Sequence, residues 1–336
     1  MDTSNFVISV RKAKKPNTPE GSFCNEPGVT RYLEVPVGED TPHPHTHKLT
    51  RTEWLKRVLD RASEGVHGAD HPLSGYRYGD ILIFIHGYNN SMQEVMDRHN
   101  KLQKNLRAQG FKGAIVSFDW PSASATLNYL EDRSDAKATA SRLVKDGIAV
   151  LATNQKDQDR NKCDIDVHLL GHSTGAYVVR EGFYEATQHR TISRTNWQVS
   201  QIVLIGGDIA RKSLRASDDK SKAFFTHAAR ITNYQNPYDI ALKVSNVKRL
   251  GTQPRAGRVG LPDNPPENVV NVNLGDHWKT LERNPDYSKT SWSHSWHFED
   301  ETFAKDLACT LQGDIDRHKI PTRIVVDGVL TLKAQL

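Results

Sequence analysis

The chain has 336 residues, 37% of them hydrophobic and 25% charged, which predicts a soluble globular protein with a sizeable core. No apolar run approaches the roughly 20 residues that span a bilayer, and the first residues lack the apolar stretch of a secretory signal. The net charge of +5 is modest, and the short basic run at residues 11–15 has no interleaved aromatics, so it indicates a solvated face rather than a nucleic-acid site.

Residues 1–77 form an extension ahead of the main pattern. Residues 6–10 and 32–37 are predicted to be short strands, separated by a loop at residues 16–27. Thr50-Arg51-Thr52-Glu53 has the capping-box pattern, so a helix is predicted from Arg51 to Ala62.

Neither the cysteines nor the histidines of the chain indicate a metal or a cofactor. Three widely spaced cysteines form no zinc pattern, and their odd number argues against disulfides, so a cytoplasmic location is expected. The segment 42–47, Pro-His-Pro-His-Thr-His, alternates histidines, but no cysteine or carboxylate joins it in a recognised spacing. A solvated loop is predicted there, and a phosphate loop and a dinucleotide fingerprint are both absent.

From Gly79 onward, strands and helices alternate, which predicts an α/β fold with a mostly parallel sheet and helices on both faces. The predicted strands are residues 81–85, 114–118, 165–170, 201–205, 229–234 and 269–273. The predicted helices are residues 92–109, 132–151 and 299–311. This core spans residues 78–313, and ligands of such sheets bind at the carboxyl ends of the strands.

Two further segments lie in or after this core. Residues 314–336 contain Asp327-Gly328 between apolar runs, which predicts a β-hairpin packing on the core and pairing with the N-terminal strands. The Gly/Pro/Arg-rich residues 243–267 are either a lid over the site or an ordinary surface loop.

The segment Gly171-His172-Ser173-Thr174-Gly175 fits G-x-S-x-G, which presents a serine nucleophile on a sharp turn between a strand and a helix. A predicted strand precedes it and a helix-forming segment follows it. Small residues are needed there because the helix passes close to the strand. Ser173 is therefore the candidate nucleophile, and a base, an acid and an oxyanion hole must accompany it.

In sheets of this kind the acid and then the histidine follow the serine along the chain. His277, His294 and His297 all lie in the segment between the last predicted core strand and the helix after it, and we favour His294. For the acid, Asp239 is favoured over Asp208, because it lies one strand before the histidine-bearing segment. The acid holds one imidazole tautomer and stabilises the imidazolium.

One oxyanion donor is expected to be the backbone N–H of Thr174, directly after the nucleophile. The second is expected in the loop after the strand at residues 81–85, where Gly87 lets the backbone turn and the N–H of Tyr88 becomes the donor. We assign His86, Gly87, Trp120 and His172 to the substrate pocket.

Several motifs together resemble a bacterial α/β-hydrolase family of esterase/lipase-superfamily proteins, long known as a domain of unknown function. The matching motifs are residues 85–91 (Ile-His-Gly-Tyr-Asn-Asn-Ser), 118–122 (Phe-Asp-Trp-Pro-Ser), 171–175, 239–242 (Asp-Ile-Ala-Leu) and 294–296 (His-Ser-Trp). The resemblance covers residues 78–313 and implies the same roles for Ser173, Asp239 and His294. Gly206-Gly207 departs from it, since a small apolar pair is expected there.

These observations favour a serine hydrolase of small carboxylic esters with short- to medium-chain acyl groups, with no cofactor. An amidase, a lactonase or an acyltransferase would use the same residues. A catalytically silent binding module is the alternative from another class. The sequence does not separate these hypotheses, and it leaves the oligomeric state open.

Overall fold

The computed structural model describes residues 3–64, 77–122, 139–152, 163–188, 197–243, 253–281 and 290–334. Its strands are β1 (Ser4–Lys14), β2 (Ser22–Pro36), β3 (Lys48–Leu49), β4 (Arg77–Ile85), β5 (Ala114–Asp119), β6 (Cys163–His172), β7 (Val199–Ile205), β8 (Ala228–Gln235), β9 (Val269–Asn273), β10 (Arg323–Val326) and β11 (Val329–Leu332). Its α-helices are α1 (Arg51–Ser63), α2 (Met92–Ala108), α3 (Ala149–Ala152), α4 (Thr174–Gln188), α5 (Lys222–Thr226), α6 (Ala256–Val259), α7 (Gly275–Leu281), α8 (Thr290–Ser295) and α9 (Glu301–Gln312). The strands form one 11-stranded sheet in the order β10-β11-β9-β8-β7-β6-β4-β5-β1-β2-β3.

The central strands β5, β4, β6, β7, β8 and β9 run parallel, as predicted. In β4, residues 81–85 are all fully buried, and successive side chains enter different hydrophobic clusters. Ile81, Ile83 and Ile85 belong to one cluster, whereas Leu82 and Phe84 belong to the other. A continuous apolar strand is typical of a sheet covered on both faces, and the α/β prediction is confirmed.

The N-terminal strands continue this sheet, because β1 pairs antiparallel with β2 and parallel with β5. Both strands are longer than predicted, and the loop prediction for residues 16–27 is wrong in its second half, since β2 begins at Ser22. Pro27 is tolerated within β2 because the far side of that strand is paired only at Tyr32 and Leu33, with β3.

The C-terminal segment forms the predicted hairpin, with β10 antiparallel to β11 and positive φ values at Asp327 and Gly328. The expected pairing with the N-terminal strands is wrong, because β11 lies parallel to β9 at the opposite edge of the sheet. The chain runs from β9 through α7, α8 and α9 to β10, and the hairpin then brings its second strand, β11, beside β9.

The helices largely follow their predicted ends. Ser91 forms a capping box with Glu94 at the start of α2, and the Asp300 carboxylate caps α9 by accepting from the N–H of Phe303. The predicted helix at 132–151 is helical from 139 to 152, with a π-helical turn at Leu143–Ile148, and its first residues lie outside the described chain. Within the described ranges, no helix combines the length and the hydropathy needed to cross a bilayer.

Candidate active site

Ser173 alone forms the turn between β6, which ends at His172, and α4, which begins at Thr174. Its φ is 55°, in the left-handed region that non-glycine residues rarely adopt. The flanking glycines are required by close packing: a Cβ at Gly175 would stand 2.2 Å from the carbonyl oxygen of Ile85, and one at Gly171 would stand 2.8 Å from Cα of Ala176. The segment is therefore a strained strand–turn–helix junction.

The backbone of Ser173 is anchored to the end of β7. Its N–H donates to the carbonyl oxygen of Ile205 at 3.0 Å, and its carbonyl oxygen accepts from the N–H of Asp208 at 2.9 Å. Ser173 itself is 9% exposed. These bonds hold the strained turn at the carboxyl ends of two neighbouring strands, where ligands of parallel sheets bind.

His294 and Asp239 form a hydrogen-bonded pair at the same edge of the sheet. The Nδ1 atom of His294 lies 2.6 Å from Oδ2 of Asp239, and the other oxygen of Asp239 accepts from the N–H of Leu242 at 2.9 Å. The Asp239 side chain is fully buried, whereas that of His294 is 12% exposed. Because Nδ1–H donates to the carboxylate, Nε2 of His294 remains free to accept a proton.

The segments that carry the two residues are joined by further hydrogen bonds. The N–H of Ile240 donates to Oγ of Ser293 at 3.2 Å, and the side-chain amide of Asn236 donates to the Ser293 carbonyl oxygen at 3.4 Å. Gly206 packs against the pair: a Cβ there would stand 3.1 Å from Cε1 of His294 and 3.4 Å from Oδ2 of Asp239. The glycines at positions 206 and 207, where the family resemblance leads us to expect a small apolar pair, thus leave room for the ring of His294.

His172, the residue before Ser173, contacts this pair. Its Nε2–H donates to the carbonyl oxygen of His294 at 2.8 Å, and the two rings lie 4.7 Å apart. Burial, and then the charges of His294 and Arg98, lower the pKa of His172 well below its ordinary value, so the ring is neutral. Among the described hydrogen bonds, none joins Oγ of Ser173 to the His294 ring; such contacts often form only when substrate is bound.

The other candidate histidines have different partners. The ring of His277 is held between the Asp300 carboxylate, 3.0 Å from Nε2, and the Lys333 carbonyl oxygen, 2.8 Å from Nδ1. His297 is buried and stacks on Trp296 with ring centroids 4.3 Å apart. Burial, and then the neighbouring histidines, lower the pKa of His297 well below its ordinary value. Of the three, only His294 pairs with an aspartate that follows β8.

The loop after β4, residues 86–91, lies directly against Ser173. A Cβ at Gly87 would stand 2.7 Å from Cβ of Ser173 and 3.2 Å from its Oγ. Tyr88 follows Gly87 and is half-buried, and Thr174 begins α4 on the other side of Ser173. The two backbone segments expected to supply the oxyanion donors therefore flank the same serine.

The buried side chains of His86 and Trp120 hold this loop in place from the protein interior. The backbone N–H of Trp120 donates to Nε2 of His86 at 3.1 Å, and the indole N–H donates to the His86 carbonyl oxygen at 2.9 Å. The rings stack with centroids 5.4 Å apart, and both side chains are fully buried. Burial outweighs the nearby Asp119 and lowers the pKa of His86.

Sequence reasoning missed the support from residues 253–260. The N–H of Gly257 donates to the Gly207 carbonyl oxygen at 3.0 Å, and the N–H of Asn236 donates to the Gly257 carbonyl oxygen at 2.9 Å. This described part of the possible lid is thus bonded to the loops after β7 and β8. The Gly206-Gly207 departure was the available signal, because paired small residues permit another backbone to approach closely.

Sequence reasoning also misplaced Arg11. The basic run predicts a solvated face, but Arg11 is 3% exposed, whereas the side chain of the neighbouring Lys12 is 55% exposed. Nε of Arg11 lies 2.8 Å from Oδ1 of Asp119, which is also buried. The signal was Asp119 at the end of a buried strand, because a buried carboxylate requires a partner.

In the part of the chain that the structure describes, no cluster of three or more histidine, cysteine, aspartate or glutamate side chains could hold a metal ion. The rings of residues 42–47 bond locally instead. Nδ1 of His43 accepts from the N–H groups of His45 and Thr46, and Nε2 of His47 lies 2.9 Å from a Glu39 carboxylate oxygen.

A parallel sheet whose strained serine turn lies between a strand and a helix defines the class of α/β hydrolases. Residues 69–266 match the family model described as "Alpha/beta hydrolase of unknown function (DUF900)", and the chain belongs to this family. The resemblance seen in the sequence is confirmed. The match contains Ser173 and Asp239 and ends before His294. No curated protein matches the chain.

Solved structures of other hydrolases are similar to this chain at low identity. A protein named as a cell surface hydrolase from Lactobacillus plantarum WCFS1 is 11% identical, with 71% of this chain and 92% of that chain covered and a TM-score of 0.36. Esterase B from Lactobacillus rhamnosis is 15% identical, with 61% and 59% covered and a TM-score of 0.27. A lipase-esterase related protein from Clostridium acetobutylicum ATCC 824 is 17% identical, with 44% and 50% covered and a TM-score of 0.22. These similarities carry no argument about substrate.

Proposed function

We propose that this chain is a serine hydrolase of carboxylic esters that works through an acyl-enzyme, with Ser173 as nucleophile, His294 as base and Asp239 as the acid. The observation that carries the proposal is the 2.6 Å contact between His294 and Asp239 at the sheet edge that also presents Ser173. A buried carboxylate that holds Nδ1–H of an imidazole prepares its Nε2 to take a proton from a serine.

In the first half-reaction, Oγ of Ser173 attacks the ester carbonyl carbon while its proton passes to Nε2 of His294. The carbonyl π electrons move to oxygen and form a tetrahedral oxyanion. The C–O bond to the alcohol then breaks, and the departing alkoxide takes the proton from His294. In the second half, a water molecule gives its proton to His294 and attacks the acyl-enzyme, and collapse of the second tetrahedral intermediate releases the acid and restores Ser173.

The backbone N–H groups of Tyr88 and Thr174 are proposed to stabilise the oxyanion. The close approach of Gly87 to Ser173 supports this assignment, because it brings the loop after β4 to the reacting oxygen. One such donor is typically worth about 3 kcal/mol of transition-state stabilisation. The pocket is proposed to be shaped by His86, Gly87, Trp120 and His172. The side chains of His86, Trp120 and His172 act mainly by holding the backbone of the pocket in place from the protein interior.

Short- to medium-chain acyl esters are the proposed substrates, because the sequence contains no long apolar lid segment. All groups that the mechanism uses come from the chain, so no cofactor is proposed. A cytoplasmic location is supported only by cysteine usage; Cys24 and Cys309 are free thiols.

The test is hydrolysis of p-nitrophenyl esters of increasing chain length by the wild type and by Ser173→Ala. Ser213→Ala is the matched control, because Ser213 is also 9% exposed but lies outside the site. We expect turnover that Ser173→Ala abolishes and Ser213→Ala retains, together with fluorophosphonate labelling at Ser173. Undiminished turnover in Ser173→Ala would exclude the proposed nucleophile, and ester transfer to an added alcohol in preference to water would identify an acyltransferase.

A further inference from the structure

Arg11, on the second half of β1, makes three different polar contacts from a buried position. Its Nε lies 2.8 Å from Oδ1 of Asp119, Nη2 donates to the carbonyl oxygen of Asn90 at 2.8 Å, and Nη1 donates to Oδ1 of Asn25 at 2.7 Å. The planar guanidinium fork suits three acceptors in fixed directions, which a lysine ammonium on a flexible stem does not. One side chain thus joins β1, β2, the end of β5 and the loop after β4.

Asp119 depends on this cation. Its side chain is fully buried, and its second oxygen accepts from Oγ of Ser9 at 2.7 Å. Burial alone would raise its pKa, but the charge of Arg11, together with the hydrogen bond from Oγ of Ser9, opposes burial, and the pKa of Asp119 lies below its ordinary value. A carboxylate that stays ionised in the interior is a rigid anchor only while its partner remains in place.

Asn90 connects Arg11 to the loop beside Ser173 through hydrogen bonds. Its side-chain amide donates to the carbonyl oxygens of Gly87 and Tyr88, at 2.8 Å each. Its backbone N–H donates to Oγ of Ser122 at 3.1 Å. The carbonyl oxygen of Asn90 is the atom that Arg11 binds, so Arg11 and the peptide units of Gly87 and Tyr88 are separated by one residue.

We propose that Arg11 is a positioning residue of the oxyanion loop, defined as residues 86–91: it holds Asn90 and Asp119 so that the backbone N–H of Tyr88 faces the reacting carbonyl. This inference rests on the proposed function, since it concerns the rate of the same reaction. It assigns a role to a residue outside the segment that matches the family.

A matched control is present at the other edge of the sheet. Arg323 is 4% exposed, and its guanidinium forms several buried hydrogen bonds with the fully buried Asp306, including Nη2 to Oδ1 at 2.7 Å. It also donates to Oγ1 of Thr310 and to the hydroxyl oxygen of Tyr234. This pair joins β10, α9 and β8, and none of these contacts involves the oxyanion loop.

The experiment compares Arg11→Lys and Arg11→Met with Arg323→Lys and Arg323→Met. Thermal unfolding, kcat and KM for p-nitrophenyl butyrate, and the rate of fluorophosphonate labelling are measured well below the unfolding temperature. We expect the Arg11 variants to lose about 10- to 100-fold in kcat and in labelling rate, with KM changed less than about threefold, because small displacements of reacting groups have effects of this size. The Arg323 variants should lose comparable thermal stability and keep kcat within about twofold.

Arg11→Lys separates positioning from folding, because the ammonium retains a charge opposite Asp119 but cannot reach all three acceptors. A folded Arg11→Lys with wild-type kcat, or Arg323 variants with an equal loss of kcat at equal stability, would overturn the inference. If the methionine variants do not fold, the two lysine variants decide by the same comparison. A wild type that neither hydrolyses esters nor is labelled overturns the proposed function and this inference with it, whereas an active wild type with an unaffected Arg11→Lys overturns this inference alone.

Discussion

Asp208 is held by Arg255: its Oδ1 atom lies 3.2 Å from Nε of the arginine, and both side chains are buried. Asp208 follows β7, whereas Asp239 follows β8 and contacts His294. The two acidic residues that the sequence offers for one role therefore have different partners. One neutralises a buried cation, and the other orients an imidazole.

This division predicts opposite phenotypes for two isosteric substitutions. Asp239→Asn should lower kcat by about 10⁴-fold, because the amide no longer holds the required imidazole tautomer. Asp208→Asn should destabilise the fold by about 3–5 kcal/mol, because it removes a buried negative charge that faces the buried Arg255. Urea unfolding and ester turnover measure the two effects, and a large loss of kcat in a folded Asp208→Asn would contradict the assignment.

Gly206→Ala should lower ester turnover, because the added methyl group would contact the hydrogen-bonded pair of His294 and Asp239. Gly206 has a φ of 51°, and its added Cβ would stand 3.1 Å from Cε1 of His294, so the ring must move. We expect kcat to fall about tenfold. Gly328→Ala is the control, since its φ is 77° and no heavy atom lies within 4 Å of its Cβ position. Both variants should lose about 1–2 kcal/mol from the left-handed backbone, and equal kcat values in the two variants would refute the steric argument.

His172→Phe should slow the reaction without removing any reacting group. The substitution deletes the Nε2–H donor that binds the His294 carbonyl oxygen, while the ring can still pack on Phe298. We expect about a tenfold loss of kcat, because the base is less well oriented. His297→Phe is the control, since His297 is also buried beside His294. A similar loss in both variants would indicate general repacking.

Stability should fall in mild acid. Burial lowers the pKa values of His86, His172 and His297, so each ring is neutral in the fold and takes up a proton on unfolding below about pH 6.5. The stability from these neutral rings is present above that pH and is lost as the pH falls, by at most about 1.4 kcal/mol per pH unit for each histidine. Urea unfolding between about pH 7 and about pH 5 should give a shallower slope for His297→Phe than for the wild type. Parallel slopes would contradict this account.

The elements of the core and the likeness to α/β hydrolases were predictable because their signals are local. Continuous apolar strands such as residues 81–85, the capping residue Thr50, and the small residues around Ser173 each encode a backbone preference within a few positions. Chain order then limited the acid and the base to a few residues, of which Asp239 and His294 form the close pair in the structure.

The features that escaped prediction depend on partners distant in the chain. Arg11 belongs to a run of basic residues whose other members give no indication of burial, and only Asp119, 108 residues away, explains its orientation. The hairpin sequence specified its own turn but not its neighbour, because the pairing of β11 with the distant strand β9 has no signal within the hairpin itself. For the contact between Gly257 and Gly207, the paired glycines at 206 and 207 indicate a close approach but do not identify the segment that approaches.

The site combines residues that are far apart in the chain: 55 residues separate Asp239 from His294, and 122 separate His172 from His294. Contacts of such long range form only after much loop-closure entropy has been lost, so they belong to the slow stages of folding. A chain still on the ribosome would carry the serine turn long before its histidine is synthesised. An unfinished chain would therefore carry the serine turn without the pair of Asp239 and His294, and the proposed acyl transfer would begin only once that pair has formed.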